Sequence, residues 1–347
     1  MTKIVSDQLA SSLDEKSFSA QQGVFAQLTE PHRRQIRAYC YRMLGSLSGA
    51  EDLTQETFLK AWDAFDEFEG RGSFKGWLYQ IATRLCLDTL RQGKRRSRIL
   101  PEAEFPPATA MPEGPPLMDA VWLEPYPDTE LDKIADDAPS PEARYETHEA
   151  IRLAFVAAIQ YLPPRQRAVL LLIDVLGWSP AETTTLVGGS VASINSALQR
   201  ARSALSARYP HGRPDRRFEV AHGQNILLDR YVRTWEAKDL DGFVALLKED
   251  ASYAMPPRKQ WYLGRDAIRG FFSVVWRQYG CFRLLPTAAN RQPAFVLYTK
   301  NDADKSWSIH SLHVLTVDEF AISHLLMFMR PLAPGIARAF GFPEMFN

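Results

Sequence analysis

The chain has 347 residues, 46% of them hydrophobic, more than a single core usually accommodates, so several compact domains are expected. Lys and Arg balance Asp and Glu at 41 each, and that zero net charge excludes a uniformly basic nucleic-acid binder. Cys40, Cys86 and Cys281 are too far apart for a disulfide framework or a zinc site, and neither a signal core nor a run of roughly 20 apolar residues is present, so a cytoplasmic protein with no membrane partner is expected.

The balanced charge is patterned. Residues 84–98 carry six basic side chains (Arg84, Arg91, Lys94, Arg95, Arg96, Arg98) against Asp88 alone, and 195–217 carry six (Arg200, Arg202, Arg208, Arg213, Arg216, Arg217) against Asp215 alone. Between them, 101–146 holds twelve acids and two bases, so two basic patches flank an acidic linker.

In chain order, Ile36, Tyr39, Cys40, Met43 and Leu44 recur at helical spacing until Gly45. Ser48 and Glu51 read as a capping box opening the next helix, which Trp62 and Phe65 close. After the glycine loop FEGRGSF, an amphipathic helix runs from about Lys75 to Gln92, with Leu78, Ile81, Ala82, Leu85 and Thr89 inward and Gln80, Arg84, Asp88 and Arg91 on an outer stripe free for a partner. Ten prolines over 99–146 deny both helix and strand and predict an extended linker, in which the aromatic island 121–128 is expected to dock. Helical periodicity returns from Thr147 to Leu205. There Ser179, Pro180 and Glu182 supply an N-cap, a proline at the first helical position and the other half of a capping box; Gly188 and Gly189 turn the chain, and Ser190 starts a basic second helix. Capped helix, glycine turn and arginine-bearing helix make a helix-turn-helix pattern. Beyond about Phe218, helical stripes give way to strand-like AFVLYTK, SWSIHSLHVLTV and FAISHLLMFM, predicting helices on a curved antiparallel sheet. His310 and His313, three apart on a strand, are expected on opposite faces with no metal between them.

AEDLTQETFLKAW with FEGRGSFKGWLYQIATRLCLDTLR resembles region 2 of the extracytoplasmic-function sigma factors, and LPPRQRAVLLLIDVLGWSPAETTTLVGGSVASINSALQRARSAL resembles their region 4. WLEPYPD and MPPRKQWYLGRDAIRGF resemble the subgroup with a fused SnoaL-like domain, so the resemblance covers nearly the whole chain. It implies a multidomain fold: a region 2 helical bundle over 1–100, a linker over 101–146, a region 4 helix-turn-helix over 147–217 and an α+β SnoaL-like cone over 218–347. Two positions depart from the pattern: Thr83, where the family often has asparagine, and Asn195, where many relatives have a base.

The implied partners are core RNA polymerase and promoter DNA. Holding unpaired bases calls for aromatics beside a cationic groove, which Phe68, Arg71, Trp77, Gln80, Arg84, Asp88, Arg91, Lys94, Arg95 and Arg96 supply for the downstream box. In the major groove, Asn and Gln match adenine and Arg matches guanine, so Ser193, Asn195, Ser196, Gln199, Arg200 and Arg202 are the upstream-box candidates. Glu51, Asp52, Gln55 and Glu56 resemble the cluster that docks on the polymerase clamp. Tyr253, Met255, Trp261, Tyr262 and Arg265 are candidates to line a pocket for a small ligand of the cone. No cofactor and no catalytic acid–base pair is expected, and no feature speaks for or against an anti-sigma partner. The function expected is promoter-specific initiation modulated in cis by the cone; the alternatives are a DNA-binding part fused to a ligand-binding or enzymatic domain, and a helix-turn-helix repressor.

Overall fold

The computed structural model describes residues 20–68, 73–92, 98–118, 122–131, 152–208, 222–300, 305–318 and 320–346. In chain order the helices are α1 (20–29), α2 (Arg33–Leu44), α3 (Leu47–Asp63), α4 (Phe74–Arg91), α5 (Pro101–Glu104), α6 (Leu153–Ile159), α7 (Pro164–Leu170), α8 (Pro180–Val187), α9 (Val191–Arg208), α10 (His222–Ala237) and α11 (Leu240–Val244), then α12 (Arg265–Val275) and α13 (Leu332–Ala339). The strands are β1 (Leu247–Ala254), β2 (Trp261–Leu263), β3 (Phe282–Ala289), β4 (Gln292–Lys300), β5 (Trp307–Asp318), β6 (Ala321–Met329) and β7 (Met345–Phe346). They form two compact units. So far as they are described, one takes the chain up to Leu44, Ser48–Lys94 and Pro164–Ala201; the other takes Gly45–Leu47, Arg95–Pro163 and Arg202–Asn347.

The first unit is all helical. The α2 stripe Ile36, Tyr39, Cys40, Met43 and Leu44 is fully buried, and Gly45 ends the helix with a φ of 64°, a backbone state that favours glycine. Ser73 caps α4, accepting from Gly76 N–H at 3.0 Å. The inward arc of α4 comprises Leu78, Tyr79, Ala82, Thr83, Cys86 and Leu87, whereas Ile81, Leu85 and Thr89 are half-buried. The arc is wider than one amphipathic stripe because two groups of helices cover it, α2 on one side and α7 with α8 on the other. Thr83 is therefore a core residue: its hydroxyl lies 3.0 Å from Tyr39 Oη and donates to Tyr79 O at 2.6 Å. From α7 the chain continues as a π turn over Leu171–Val175 into Gly177, and α8 follows with both hydrogen bonds of the Ser179–Glu182 capping box in place.

The second unit contains a seven-stranded sheet of order β2-β1-β6-β5-β4-β3, with β7 paired to the start of β5. All pairings are antiparallel except β1 with β6. On its concave side lies a core rich in rings, in which Tyr231, Trp235, Phe243, Phe272, Trp276 and Phe282 meet mostly edge to face.

Over its described residues 98–118 and 122–131 the proline-rich segment is not a free spacer, which corrects the expectation from composition there. Prolines prevent it from building its own ladder, but its remaining backbone groups pair with the sheet edge. Ala108 N–H donates to Trp261 O at 2.7 Å, Leu117 N–H to Pro257 O at 2.8 Å, Trp261 Nε1–H to Phe105 O at 2.7 Å and Tyr262 Oη to Ala110 O at 2.9 Å. The aromatic island is buried within the same unit: Trp122, Leu123 and Tyr126 are at most 3% exposed, and Tyr126 N–H donates to Asn290 Oδ1 at 2.7 Å. Glu124 accepts from Arg98 at 2.6 Å and from Leu47 N–H at 2.6 Å. Hence α3 opens at Leu47 with Glu124 satisfying its first N–H, rather than at a Ser48 cap.

Candidate nucleic-acid interface

In α9 the inward positions are Ile194, Ala197, Leu198 and Ala201, all buried. That spacing leaves Ser193, Asn195, Ser196, Gln199, Arg200 and Arg202 exposed along the outer surface. The turn before it is fixed by Gly188 and Gly189, both at positive φ, and by Ser190 and Ser193, which exchange hydrogen bonds across the first turn of α9 at 3.1 and 3.2 Å. Arg165 donates to Gly188 O at 2.7 Å and steadies the same turn from α7. A polar helix face held by a rigid turn and carrying Asn, Gln and Arg is chemically equipped to meet base edges and phosphates.

The outer stripe of α4 divides. Arg84, Asp88 and Arg91 are exposed, with Arg91 and Asp88 paired at 3.2 Å. Gln80 is not free for a partner as its stripe suggested; its amide donates to Thr185 O of α8 at 3.1 Å. Beside it, Trp178 packs on Tyr79 with ring centroids 5.7 Å apart, and Lys75 lies 6.0 Å over the Tyr79 ring. Phe68 and Trp77 do come together, 4.9 Å apart, with Phe74 against both, and all three are half-buried. Arg71, Lys94, Arg95 and Arg96 lie outside the described residues.

On α3 the acidic cluster shares one face. Glu51 pairs with Arg37 at 2.8 Å and accepts from Gln55 at 3.3 Å, Glu56 lies 3.8 Å from Lys60, and Asp52 is exposed. Leu59, 64% exposed, adds an apolar contact to this face. Periodicity does not single it out, since an exposed leucine on a surface helix is common.

The five cone candidates do not form one pocket. Tyr253 lines a cavity of about 20 Å³, roughly room for one water, together with Trp235, Phe272, Trp276, Tyr279 and His310. Trp261 and Tyr262 hold the proline-rich segment, Met255 accepts from Tyr253 Oη at 3.7 Å, and Arg265 donates to Leu247 O. Sequence reasoning missed His310 here because strand alternation sends it to the face opposite His313. A β-bulge intervenes: Ile309 pairs with Tyr298 and Ser311 with Leu297, leaving His310 as the extra residue. The two histidines consequently join one hydrogen-bonded chain, from Tyr231 Oη to His313 at 2.8 Å, on to Ser311 Oγ at 2.9 Å, to His310 at 3.0 Å and to Tyr279 Oη at 3.1 Å. Burial pushes His310 down to about 4 and holds His313 well below the usual imidazole range, so both are neutral at pH 7. No group of three metal-ligating side chains and no helix long and apolar enough to cross a membrane occurs among the described residues.

A capped helix-turn-helix packed with a second helical bundle, followed by an α+β cone, defines a multidomain protein of the nucleic-acid-binding class. Comparison with known proteins narrows this. Residues 28–96 match the sigma-70 region 2 family, 152–205 match sigma-70 region 4, and 228–324 match the SnoaL-like domain. The chain is 40% identical over 312 residues to the ECF RNA polymerase sigma factor SigG of Mycobacterium tuberculosis, covering 88% of this chain and 81% of that one. It is 29% identical over 248 residues to SigJ of the same organism, covering 71% and 69%. The crystal structure of M. tuberculosis SigJ superposes with a TM-score of 0.55 at 21% identity, covering 90% of this chain and 98% of that chain, a likeness of fold. The chain belongs to the ECF RNA polymerase sigma factors, and its C-terminal domain is SnoaL-like.

Proposed function

We propose that the chain binds core RNA polymerase through the α3 face and directs it to promoters whose upstream box is read by α9, while the SnoaL-like domain acts in cis as a modulator. The observation that carries this reading is the α9 surface, where six candidate side chains stand exposed behind a turn fixed by two glycines and two serines. Ser193, Asn195, Ser196, Gln199 and Arg200 meet bases or adjacent phosphates, and Arg202 meets phosphates. The downstream box falls to the Phe68–Trp77 ring cluster, Gln80, Arg84, Asp88 and Arg91, and by sequence to the basic residues Arg71, Lys94, Arg95 and Arg96. Glu51, Asp52, Gln55 and Glu56 set the register on polymerase. The site of action is the cytoplasm.

The chain is not an enzyme on this reading. In support, the relative that the chain matches over most of its length is a sigma factor. In vitro transcription with purified core polymerase and a genomic promoter pool tests the proposal, comparing the full chain with one ending before Phe218. Defined start sites from the full chain and an altered yield from the truncated one are expected. Failure to bind polymerase or to produce any start site sinks the sigma reading; identical yields sink the modulatory role of the cone.

A further inference from the structure

β3 and β4 are joined by a two-residue turn, Asn290 and Arg291, with Ala289 paired to Gln292 across its base. Both turn residues stand at positive φ, 55° and 59°, the pattern of a tight hairpin whose backbone follows the twist of its strands. Asn290, Arg291 and Gln292 all bond to chain outside the SnoaL-like match, which covers 228–324. Asn290 Oδ1 accepts from Tyr126 N–H at 2.7 Å, Asn290 N–H donates to Tyr126 O at 2.9 Å, and Arg291 N–H donates to Asp128 Oδ1 at 2.8 Å. Gln292, 7% exposed, accepts through Oε1 from Leu153 N–H at 3.2 Å. Its amide nitrogen is fixed on β5, donating to Thr316 Oγ1 at 2.9 Å and to Leu315 O at 3.3 Å, so the oxygen is turned toward Leu153 by the sheet itself.

Leu153 is the first residue of α6, and that helix opens without a side-chain cap of its own. The first N–H groups of a helix have no partner within it. Gln292 satisfies one of them from the sheet, the task a capping side chain performs elsewhere. The far end of α6 is tied as well, since Tyr161 Oη donates to Glu104 Oε1 at 2.8 Å. Residues 152–205 match region 4, yet α6 belongs to the same compact unit as the sheet, whereas α7, α8 and most of α9 belong to the other. We infer that Gln292 is a positioning residue for region 4, and that the turn from Asn290 to Gln292 is the grip through which the SnoaL-like domain modulates initiation, a reading that rests on the modulatory role proposed above. The turn takes hold of two segments distant in sequence, the linker at Tyr126 and Asp128 and region 4 at Leu153. Removing the Gln292 oxygen leaves the buried Leu153 N–H unpaired and shifts α6 toward the undocked state.

Variants of the full chain test the grip by hydrogen exchange and by transcription with core polymerase. Gln292→Met keeps the length of the side chain and removes its oxygen. Leu153→Pro removes the N–H from the other partner at the first helical position, where proline is accommodated; Arg152, at a ψ of 142°, already has the extended backbone that proline asks of its predecessor. Leu153→Ala is the control, losing the same buried side chain but keeping the N–H. Exchange over 154–160 should be about tenfold faster in Gln292→Met than in the parent, and in Leu153→Pro than in Leu153→Ala, while β5 and β6 keep parent rates. Asn290→Gly, which suits the positive φ and removes the acceptor for Tyr126 N–H, should quicken exchange over 122–128. In transcription, Gln292→Met and Leu153→Pro should each reproduce roughly half or more of the change in yield caused by truncation before Phe218. Parent exchange in Gln292→Met, with no difference between Leu153→Pro and Leu153→Ala, overturns the grip. Should Gln292→Met disturb the sheet, seen as faster exchange over β5 and β6, the Leu153 pair decides, since neither variant alters the cone. Parent yields from both variants, where truncation does change the yield, overturn the part of the grip in modulation. Identical yields from the full and truncated chains instead remove the modulatory reading, and the exchange result stands apart from it.

Discussion

The two helices assigned to promoter contact stand in different circumstances within one unit. Every candidate side chain on α9 is exposed, whereas α4 is covered by α7 and α8 along part of its length and has Gln80 engaged with a backbone carbonyl. The difference lies in what each helix buries. α9 has a narrow inward stripe of four residues, which leaves most of its circumference to solvent. α4 buries Tyr79, Thr83 and Cys86 in addition to a conventional stripe, and those extra residues are where α2 and α7 close on it. Exposure of one proposed DNA-binding surface and partial occlusion of the other thus have a common origin, because the helices that position α9 are those that cover α4.

Five substitutions test this contrast. The largest effect is expected from Arg167→Ala, which removes a buried guanidinium and leaves Met43 O unsatisfied; the first unit should lose about 3 kcal/mol in urea titration, and α8 should become a substrate for limited proteolysis. Resistance equal to that of the parent protein would mean that α7 is held by packing alone. Next come Gln199→Ala and Arg200→Ala, each expected to cost about 2 kcal/mol in promoter binding, roughly thirtyfold, with no change in melting temperature because both side chains are exposed. Equal losses on unrelated promoters would reassign them to phosphate contacts. Ser179→Ala should then cost about 1 kcal/mol by fraying the start of α8. Hydrogen bonds from Ser179 hold Glu182 below the usual carboxylate range, so the carboxylate half of the capping box contributes fully above the unfolded carboxyl pKa and is lost as pH falls through the lower folded value, while the bond from Glu182 N–H to Ser179 Oγ persists; the gap between parent and variant in thermal melts should narrow at acid pH without closing. The smallest shift belongs to Gln80→Ala, about 0.5 kcal/mol from an exposed hydrogen bond. If transcription falls much further than stability does, Gln80 acts on DNA once α8 has moved.

Local chemistry was legible in the sequence and long-range chemistry was not. Ser179, Pro180, Glu182 and the two glycines announce α8 and its turn because each acts on backbone within a few residues. The α2 stripe and the β4, β5 and β6 runs are equally readable, since their apolar pattern faces a continuous core. The outer limits of the α4 arc were hidden because its second cover comes from helices more than seventy residues further along the chain. β1, with Lys248, Glu249 and Asp250 in succession, carries too little alternation to declare itself. Proline content rightly denies the linker a ladder of its own, yet it says nothing of hydrogen bonds supplied by Trp261, Tyr262 and Pro257 of another element. In the cone, Tyr253 alone of the five candidates lines the small cavity, while the bulge that brings His310 into its lining leaves no trace in the alternation of the strand.

The bulge at His310 bears on how this domain tolerates change in length. Since His310 occupies an unpaired position, deleting it would restore regular pairing with β4 and remove the imidazole that meets Tyr279 without altering any other side chain. A chain shortened by that single codon would keep its strands but lose the far end of its polar wire, so in this sheet one extra residue both breaks the ladder and supplies the link.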